Sequence, residues 1–259
     1  MEVEVAVIRQ GRFGTSSGAE ALAGPYSGGM ELIVLWDIDH TLIENAGVSK
    51  EIYAAAFSAL AGGPPIGPAR TEGRTDRLIM RELFVRHGLS EPDWAVAEAA
   101  LARAGEERLE VLGERGTVLP GVREALKAAS AHDGWVSSVL TGNIAANARV
   151  KLSAFHLDPL LDLSVGAYGA DAEQRPDLVG VARERAQRLR EVRGDVPVVL
   201  VGDTPRDVEA ALVTDSGIVA VASGVHSPEE LAAAGAHVVL PDLSDTAQLL
   251  RILESFAAR

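Results

Sequence analysis

The chain has 259 residues, with 24 Lys+Arg against 37 Asp+Glu, a formal net charge of −13, 47% hydrophobic residues, 4% aromatics and no cysteine. The length suits one large domain or a core domain with a smaller insert. The acidic surplus carries no basic block, which excludes a nucleic-acid or anionic-membrane partner, since either would need a Lys/Arg patch. Without cysteine there is no disulfide framework, thiol nucleophile or Cys-based zinc site. Any metal must then be held by oxygen or histidine, and a hard, oxygen-loving cation is the default. No apolar run approaches the roughly 20 residues of a membrane span, and the N-terminus lacks a signal-peptide pattern. A soluble cytoplasmic protein is expected.

Residues 1–30 open with a short alternation at 2–5 and continue as a Gly/Ser/Ala stretch without period, so they read as a flexible leader, with Met30 an alternative start. Residues 32–36, Leu-Ile-Val-Leu-Trp, form a continuous apolar run, the signature of a strand buried on both faces. Residues 37–119 then contain no strand-like run and read as helices at 49–61, 75–87 and 94–112, the first two separated by 62–68. From 120 onward strand and helix alternate. Strand-like runs fall at 136–140, 161–165, 198–201, 218–221 and 238–240, and helical segments at 122–131, 144–155, 178–192, 205–213, 228–234 and 246–256. Parallel neighbours need crossovers, and crossovers cover both faces of the sheet. The fold class expected is therefore α/β, a doubly wound, Rossmann-like parallel sheet over 31–44 and 119–259, with a helical cap domain at 45–118 inserted after the first strand as a lid.

In open α/β sheets ligands bind beyond the carboxyl ends of the strands, so the residues following each run matter most. Those residues are Asp37-Ile-Asp39-His-Thr41, then Thr141-Gly142-Asn143, then Gly202-Asp203-Thr-Pro-Arg-Asp207. Asp37 and Asp39, two apart, point to the same side if strand geometry continues. Adding Asp203 and Asp207 crowds like charges that cannot all stay ionised without a cation among them. Oxygen-only ligands with room for water and substrate oxygens suit Mg²⁺. Metal, carboxylates and a hydroxyl donor together equip a site for phosphoryl chemistry.

These residues resemble the haloacid dehalogenase-like hydrolase superfamily. Its motifs appear in order as Asp37/Asp39/Thr41, Thr141, Arg175-Pro176-Asp177 and Gly202/Asp203/Asp207. The resemblance covers about 31–240, includes a helical first-position cap, and is nearest to the phosphoglycolate phosphatase branch. It implies a phosphatase acting on a small phosphorylated metabolite. Asp37 would be the nucleophile that forms an aspartyl-phosphate, and Asp39 the general acid and base. Thr141 and Arg175 would hold phosphoryl oxygens, helped by backbone amides at Gly142 and Asn143. The implied Mg²⁺ ligands are Asp37, the Asp39 carbonyl, Asp203 and, directly or through water, Asp207.

Several positions leave two readings open. Thr204, Pro205 and Asp207 are also ordinary helix-start chemistry, and Thr141 could equally cap the helix after it. Arg175 stands where the family usually has Lys, so a planar fork replaces a compact charge. Lys151, the obvious substitute, lies within the helix at 144–155 and reads as a solvated face residue. His40 departs from the glycine often found there. Arg74, opening the second insert helix, either meets an anionic substrate or is a surface arginine. A phosphomutase, a haloacid dehalogenase and a non-catalytic phosphoryl receiver are the alternatives, although a dehalogenase needs neither Asp39 nor Asp203, and a receiver explains neither Asp39 nor the large lid.

Overall fold

Five buried runs with strand length and turn-like ends favour a sheet covered on both sides, and a computed structural model, which describes residues 31–190 and 195–258, has that form. The strands are β1 (Leu32–Trp36), β2 (Ile43–Glu44), β3 (Thr117–Val118), β4 (Trp135–Val139), β5 (Val198–Gly202), β6 (Gly217–Val221) and β7 (Val238–Leu240). Five of them make one parallel sheet in the order β4-β1-β5-β6-β7. The helices are α1 (Val48–Ala61), α2 (Asp76–Arg86), α3 (Trp94–Glu106), α4 (Leu109–Arg115), α5 (Val122–Ser130), α6 (Ala145–Ser153), α7 (Arg175–Arg190), α8 (Pro205–Val213), α9 (Pro228–Ala233) and α10 (Thr246–Ala257). The expected doubly wound α/β class is what the chain adopts.

Successive strand residues face opposite sides, so β1 splits between two cores. Leu32, Val34 and Trp36 pack with Val122 and Leu126 of α5 and Leu249 and Leu253 of α10. Ile33 and Leu35 pack with Leu178 and Ala182 of α7, Val208 of α8 and Leu231 of α9. The chain leaves β1 for β4 on one side and returns to β5 on the other. The crevice beyond β1 is therefore the topological switch point, the place where such sheets bind ligands.

Between β2 and β3 lie the four helices of the insert. Its two connections pair as a short antiparallel ladder, Ile43 with Val118 and Glu44 with Thr117, which fixes the base of the insert. Two-residue strands are shorter than any periodicity that a sequence reading can detect. The insert's α3 packs on α1 and on α6, and Gly105 of α3 lies so close to Asn147 that a Cβ would stand 2.1 Å from its Oδ1.

Three expectations need correction. Residues 161–165 form no strand. The Asp162 carboxylate instead accepts from the Ser164 N–H at 3.2 Å and from its hydroxyl at 2.6 Å, and this local capture turns the chain away from the ladder. Beside β4 the Asp162 N–H still bonds the Ser137 carbonyl at 2.8 Å, and an isolated parallel bridge joins Leu140 with Ala167. The helix expected at 94–112 is two helices, because the Arg108 N–H bonds the Gly105 carbonyl at 3.0 Å and tightens the last turn of α3. The helix expected at 178–192 begins at Arg175, and its far end lies outside the described residues. The leader expected at 1–30, with its alternative start at Met30, also lies outside them. No described helix is long and apolar enough to cross a membrane.

Candidate active site

Each core-side residue of the site follows from where a strand stops. Asp37 is the first residue past β1, and its N–H bonds the Val201 carbonyl at 2.9 Å, extending the sheet by one step. The chain then folds back. His40 adopts a left-handed φ of 60°, and its N–H meets the Ile43 carbonyl at 2.7 Å. A glycine reaches that conformation without steric cost, so His40 carries local strain there. Its Nδ1 lies 2.9 Å from Glu44 Oε2.

Thr141 and Asp203 arrive beyond β4 and β5, and Asp207 lies one turn into α8. One carboxylate oxygen from each of Asp37, Asp203 and Asp207 lies within 4.8 Å of the others, and all three residues are buried. Arg175, also buried, reaches this group from the start of α7, its Nη2 being 3.0 Å from Asp37 Oδ2 and 2.6 Å from Asp207 Oδ1. The Thr41 hydroxyl donates to Asp203 Oδ1 at 3.1 Å. Asp207 Oδ2 accepts from the Thr204 N–H at 3.0 Å and from its hydroxyl at 2.6 Å. Both readings of Asp207 therefore stand together: it begins a helix and belongs to the acidic cluster.

The proton affinities express this crowding. Burial raises Asp37 to about 6, Arg175 opposes the rise, and Asp207 and Asp39 add to it. Burial lifts Asp203 well above the usual carboxylate range, with Asp207 and Asp37 pushing the same way. Burial would depress Arg175, but Asp207 and Asp37 outweigh it and hold the guanidinium charged. Three buried carboxylates facing one cation leave an excess of negative charge, and all the donors are oxygens. That donor set fits a hard divalent cation.

Asp39 has a different environment, and here a sequence expectation fails. Lys151 is only 2% exposed, not solvated, and its Nζ lies 2.6 Å from Asp39 Oδ2 and 2.6 Å from Asn143 Oδ1. Asn143 Nδ2 donates to Asp39 Oδ2 at 2.9 Å, and from the insert's start Asn45 Nδ2 and the Ser49 hydroxyl donate to Oδ1 at 2.8 and 3.2 Å. Burial works to raise Asp39, but Lys151 and Asn143 prevail and bring it down to about 2. Asn45 and Ser49 were not singled out from the sequence, because Asn and Ser at a helix start ordinarily read as caps.

Thr141 is fully buried, and its Oγ1 accepts from Asn143 Nδ2 at 2.8 Å. It is not the N-cap of α6, a place taken by Ile144. Gly142 lies under the insert: its carbonyl accepts from the Asp76 N–H at 2.7 Å, and a Cβ there would stand 2.0 Å from the Arg74 carbonyl oxygen. Asp76 is the main contact that the sequence reading missed. Its carboxylate accepts from the Tyr53 hydroxyl at 2.5 Å and from the Ile144 N–H at 2.8 Å, joining α1 and α2 to the start of α6. Arg74 lines the cavity, but its guanidinium is already ion-paired with Glu82, which Arg70 also approaches at 3.6 Å. The cavity, about 260 Å³, is lined by Asp37, Asp39, Thr141, Gly142, Asn143, Arg175 and Asp203 from the core and by Ser49, Lys50, Tyr53, Thr71, Glu72 and Arg74 from the insert.

The profile of the haloacid dehalogenase-like hydrolases matches residues 34–212. The chain is 26% identical over 219 residues to "Probable phosphatase IndB" of Dickeya dadantii (strain 3937), covering 83% of this chain and 92% of that one. Its fold is similar to that of a predicted phosphatase from Clostridium acetobutylicum, with TM-score 0.60, 18% identity, and 85% and 98% of the two chains covered. It is also similar to that of a predicted phosphoglycolate phosphatase from Haemophilus somnus 129pt, with TM-score 0.59, 17% identity, and 85% and 98% covered. With a matching profile over most of its length and the motif residues gathered at one sheet edge, the chain belongs to the haloacid dehalogenase-like hydrolases.

Proposed function

We propose that the chain is a Mg²⁺-dependent phosphatase that hydrolyses a small phosphomonoester through an aspartyl-phosphate, with residues 45–118 acting as a cap over a core of residues 31–44 and 119–259. The observation that carries this reading is the division of cations between two aspartates of one turn. Arg175 stands 3.0 Å from Asp37 within the acidic cluster, and Lys151 stands 2.6 Å from Asp39 outside it, with both carboxylates in one cavity. A nucleophile and an acid/base need such separate settings.

In the first step an Asp37 carboxylate oxygen attacks phosphorus, the bond to the alcohol oxygen breaks, and that oxygen leaves with the electron pair and takes a proton from Asp39. In the second step water attacks phosphorus and gives a proton to Asp39, and the bond to Asp37 breaks with the pair returning to the carboxylate. The sum is ester plus water giving alcohol plus phosphate. Arg175 keeps Asp37 on line, and Thr141 with the Gly142 and Asn143 amides would hold the phosphoryl oxygens. A seated phosphoryl group brings negative charge beside Asp39 and raises its affinity for the proton it must give. Asp37, Asp203, Asp207 and the Asp39 carbonyl would hold Mg²⁺, which when bound neutralises carboxylate and phosphoryl charge.

The test is phosphate release from a panel of small phosphomonoesters, with and without Mg²⁺, for the native protein and for D37N, D39N and R175A. We expect Mg²⁺-dependent turnover, undetectable in D37N and lowered by about 10²- to 10⁴-fold in D39N with alkyl esters. No phosphate release from any ester by the native protein would overturn the phosphatase reading. Full activity in D37N would overturn the aspartyl-phosphate.

A further inference from the structure

Resting on the phosphatase reading above, we infer that Lys151 is a positioning residue for Asp39, setting the acid/base carboxylate against the alcohol oxygen and, through Asn143, tying it to the Thr141 hydroxyl. Lys151 lies near the end of α6 on the helix's inward stripe, between Ala148 and Leu152, both fully buried. An apolar side chain would satisfy that stripe. A buried ammonium is retained only where its charge is matched, and this one has a single carboxylate partner among the described residues, Asp39.

Its second contact fixes the amide. Asn143 must turn its oxygen to the ammonium, 2.6 Å away, which leaves its Nδ2 to donate to Asp39 Oδ2 at 2.9 Å and to Thr141 Oγ1 at 2.8 Å. Asp39 Oδ2 is thus held from the core by Lys151 and Asn143, and Oδ1 from the insert by Asn45 and Ser49. With Lys151 removed, Oδ2 keeps only the amide and loses its charged partner, so the balance of core and insert contacts that sets the carboxylate's orientation shifts toward Asn45 and Ser49. Arg175 cannot substitute, since its Nη2 is committed to Asp37 and Asp207.

A carboxylate held for proton delivery matters in proportion to the proton the leaving group needs. Lys151→Met, Asp39→Asn and the native protein are compared by kcat/KM, which reports steps up to phosphoryl transfer, on β-glycerophosphate and on p-nitrophenyl phosphate, whose phenolate leaves unaided. K151M is expected to lose at least about tenfold more on the alkyl ester than on the aryl ester, a discrimination within what orientation of a catalytic group supplies. Equal losses on the two esters, or no loss, would overturn the inference and leave Lys151 a structural residue.

D39N separates the two levels of the reasoning. If it too fails to discriminate, the acid assignment of Asp39 falls, and Lys151's role with it; if it discriminates while K151M does not, only the Lys151 inference falls. Native protein that cleaves neither these esters nor any of the panel above refutes the phosphatase reading itself; if it cleaves another alkyl ester of the panel, that ester replaces β-glycerophosphate in the comparison. Should K151M show no cooperative thermal transition, Lys151→Gln, which keeps an N–H donor without the charge, is read by the same ratio.

Discussion

Asp76 is fully buried where the insert meets α6, and its proton affinity makes a definite prediction about stability. Burial raises it from 3.8 to about 6, against the pull of the Tyr53 hydroxyl, the Ile144 N–H and Lys151, with Asp39 adding to the rise. A carboxyl group that binds its proton more tightly in the folded chain stabilises the fold below the unfolded value, and that stabilisation is lost as pH rises through the folded one. Roughly two units at about 1.4 kcal/mol each make the loss about 3 kcal/mol, spread between about pH 4 and pH 6. Asp76→Asn removes the titration while keeping a side chain of the same shape. Urea unfolding of native protein and D76N across about pH 4 to 8 should give a stability difference that moves by about 3 kcal/mol against the native protein as pH rises. The slope, not the offset, is the readout, since an amide facing Tyr53 and Ile144 carries its own hydrogen-bond cost. A difference that stays flat across that range would refute the reasoning and mean that Asp76 titrates as an ordinary carboxylate.

Two other outcomes follow from the same geometry. Saturating Mg²⁺ should raise thermal stability near neutral pH, by about 2.7 kcal/mol at a hundredfold excess over Kd, and this gain should shrink as pH falls, because burial raises the proton affinity of both Asp37 and Asp203; calorimetry showing an equal gain at about pH 5 would contradict it. Gly142→Ala puts a Cβ 2.0 Å from the Arg74 carbonyl oxygen, a backbone atom that cannot rotate away. It should lower stability by about 1–3 kcal/mol and raise KM, whereas a native melting temperature and KM would show that the insert is not seated on Gly142.

The sheet was legible in the sequence because a strand buried on both faces must be apolar throughout, and β1, β5 and β6 are. The motif aspartates were legible because the carboxyl edge of such a sheet is where ligands bind. Misreadings came where local side-chain chemistry decided the path. Asp162 turned an apolar run into a turn through its bonds to Ser164. The paired linkers β2 and β3 are too short to have a period. Asp76, Asn45 and Ser49 look like helix-start residues, and what distinguishes them is a partner distant in the sequence or across the cavity, such as Ile144 for Asp76. That kind of contact leaves no mark on local composition.

Lys151 is different, because the signal was present. Ile144, Ala148 and Leu152 recur at helical spacing and mark the inward face, and Lys151 lies seven residues after Ile144, on that same face. A charged residue within an apolar stripe means either a broken stripe or a paired charge, and with −13 on the chain a carboxylate partner was the economical reading. The structure supplies that partner in Asp39, and Lys151 therefore does not duplicate Arg175. One nitrogen of Arg175, Nη2, bridges two acids of the cluster, while Lys151 presents a compact charge to one acid and one amide. The cations divide the work: the one beside the nucleophile also holds Asp207, and the point charge belongs to the neighbouring aspartate.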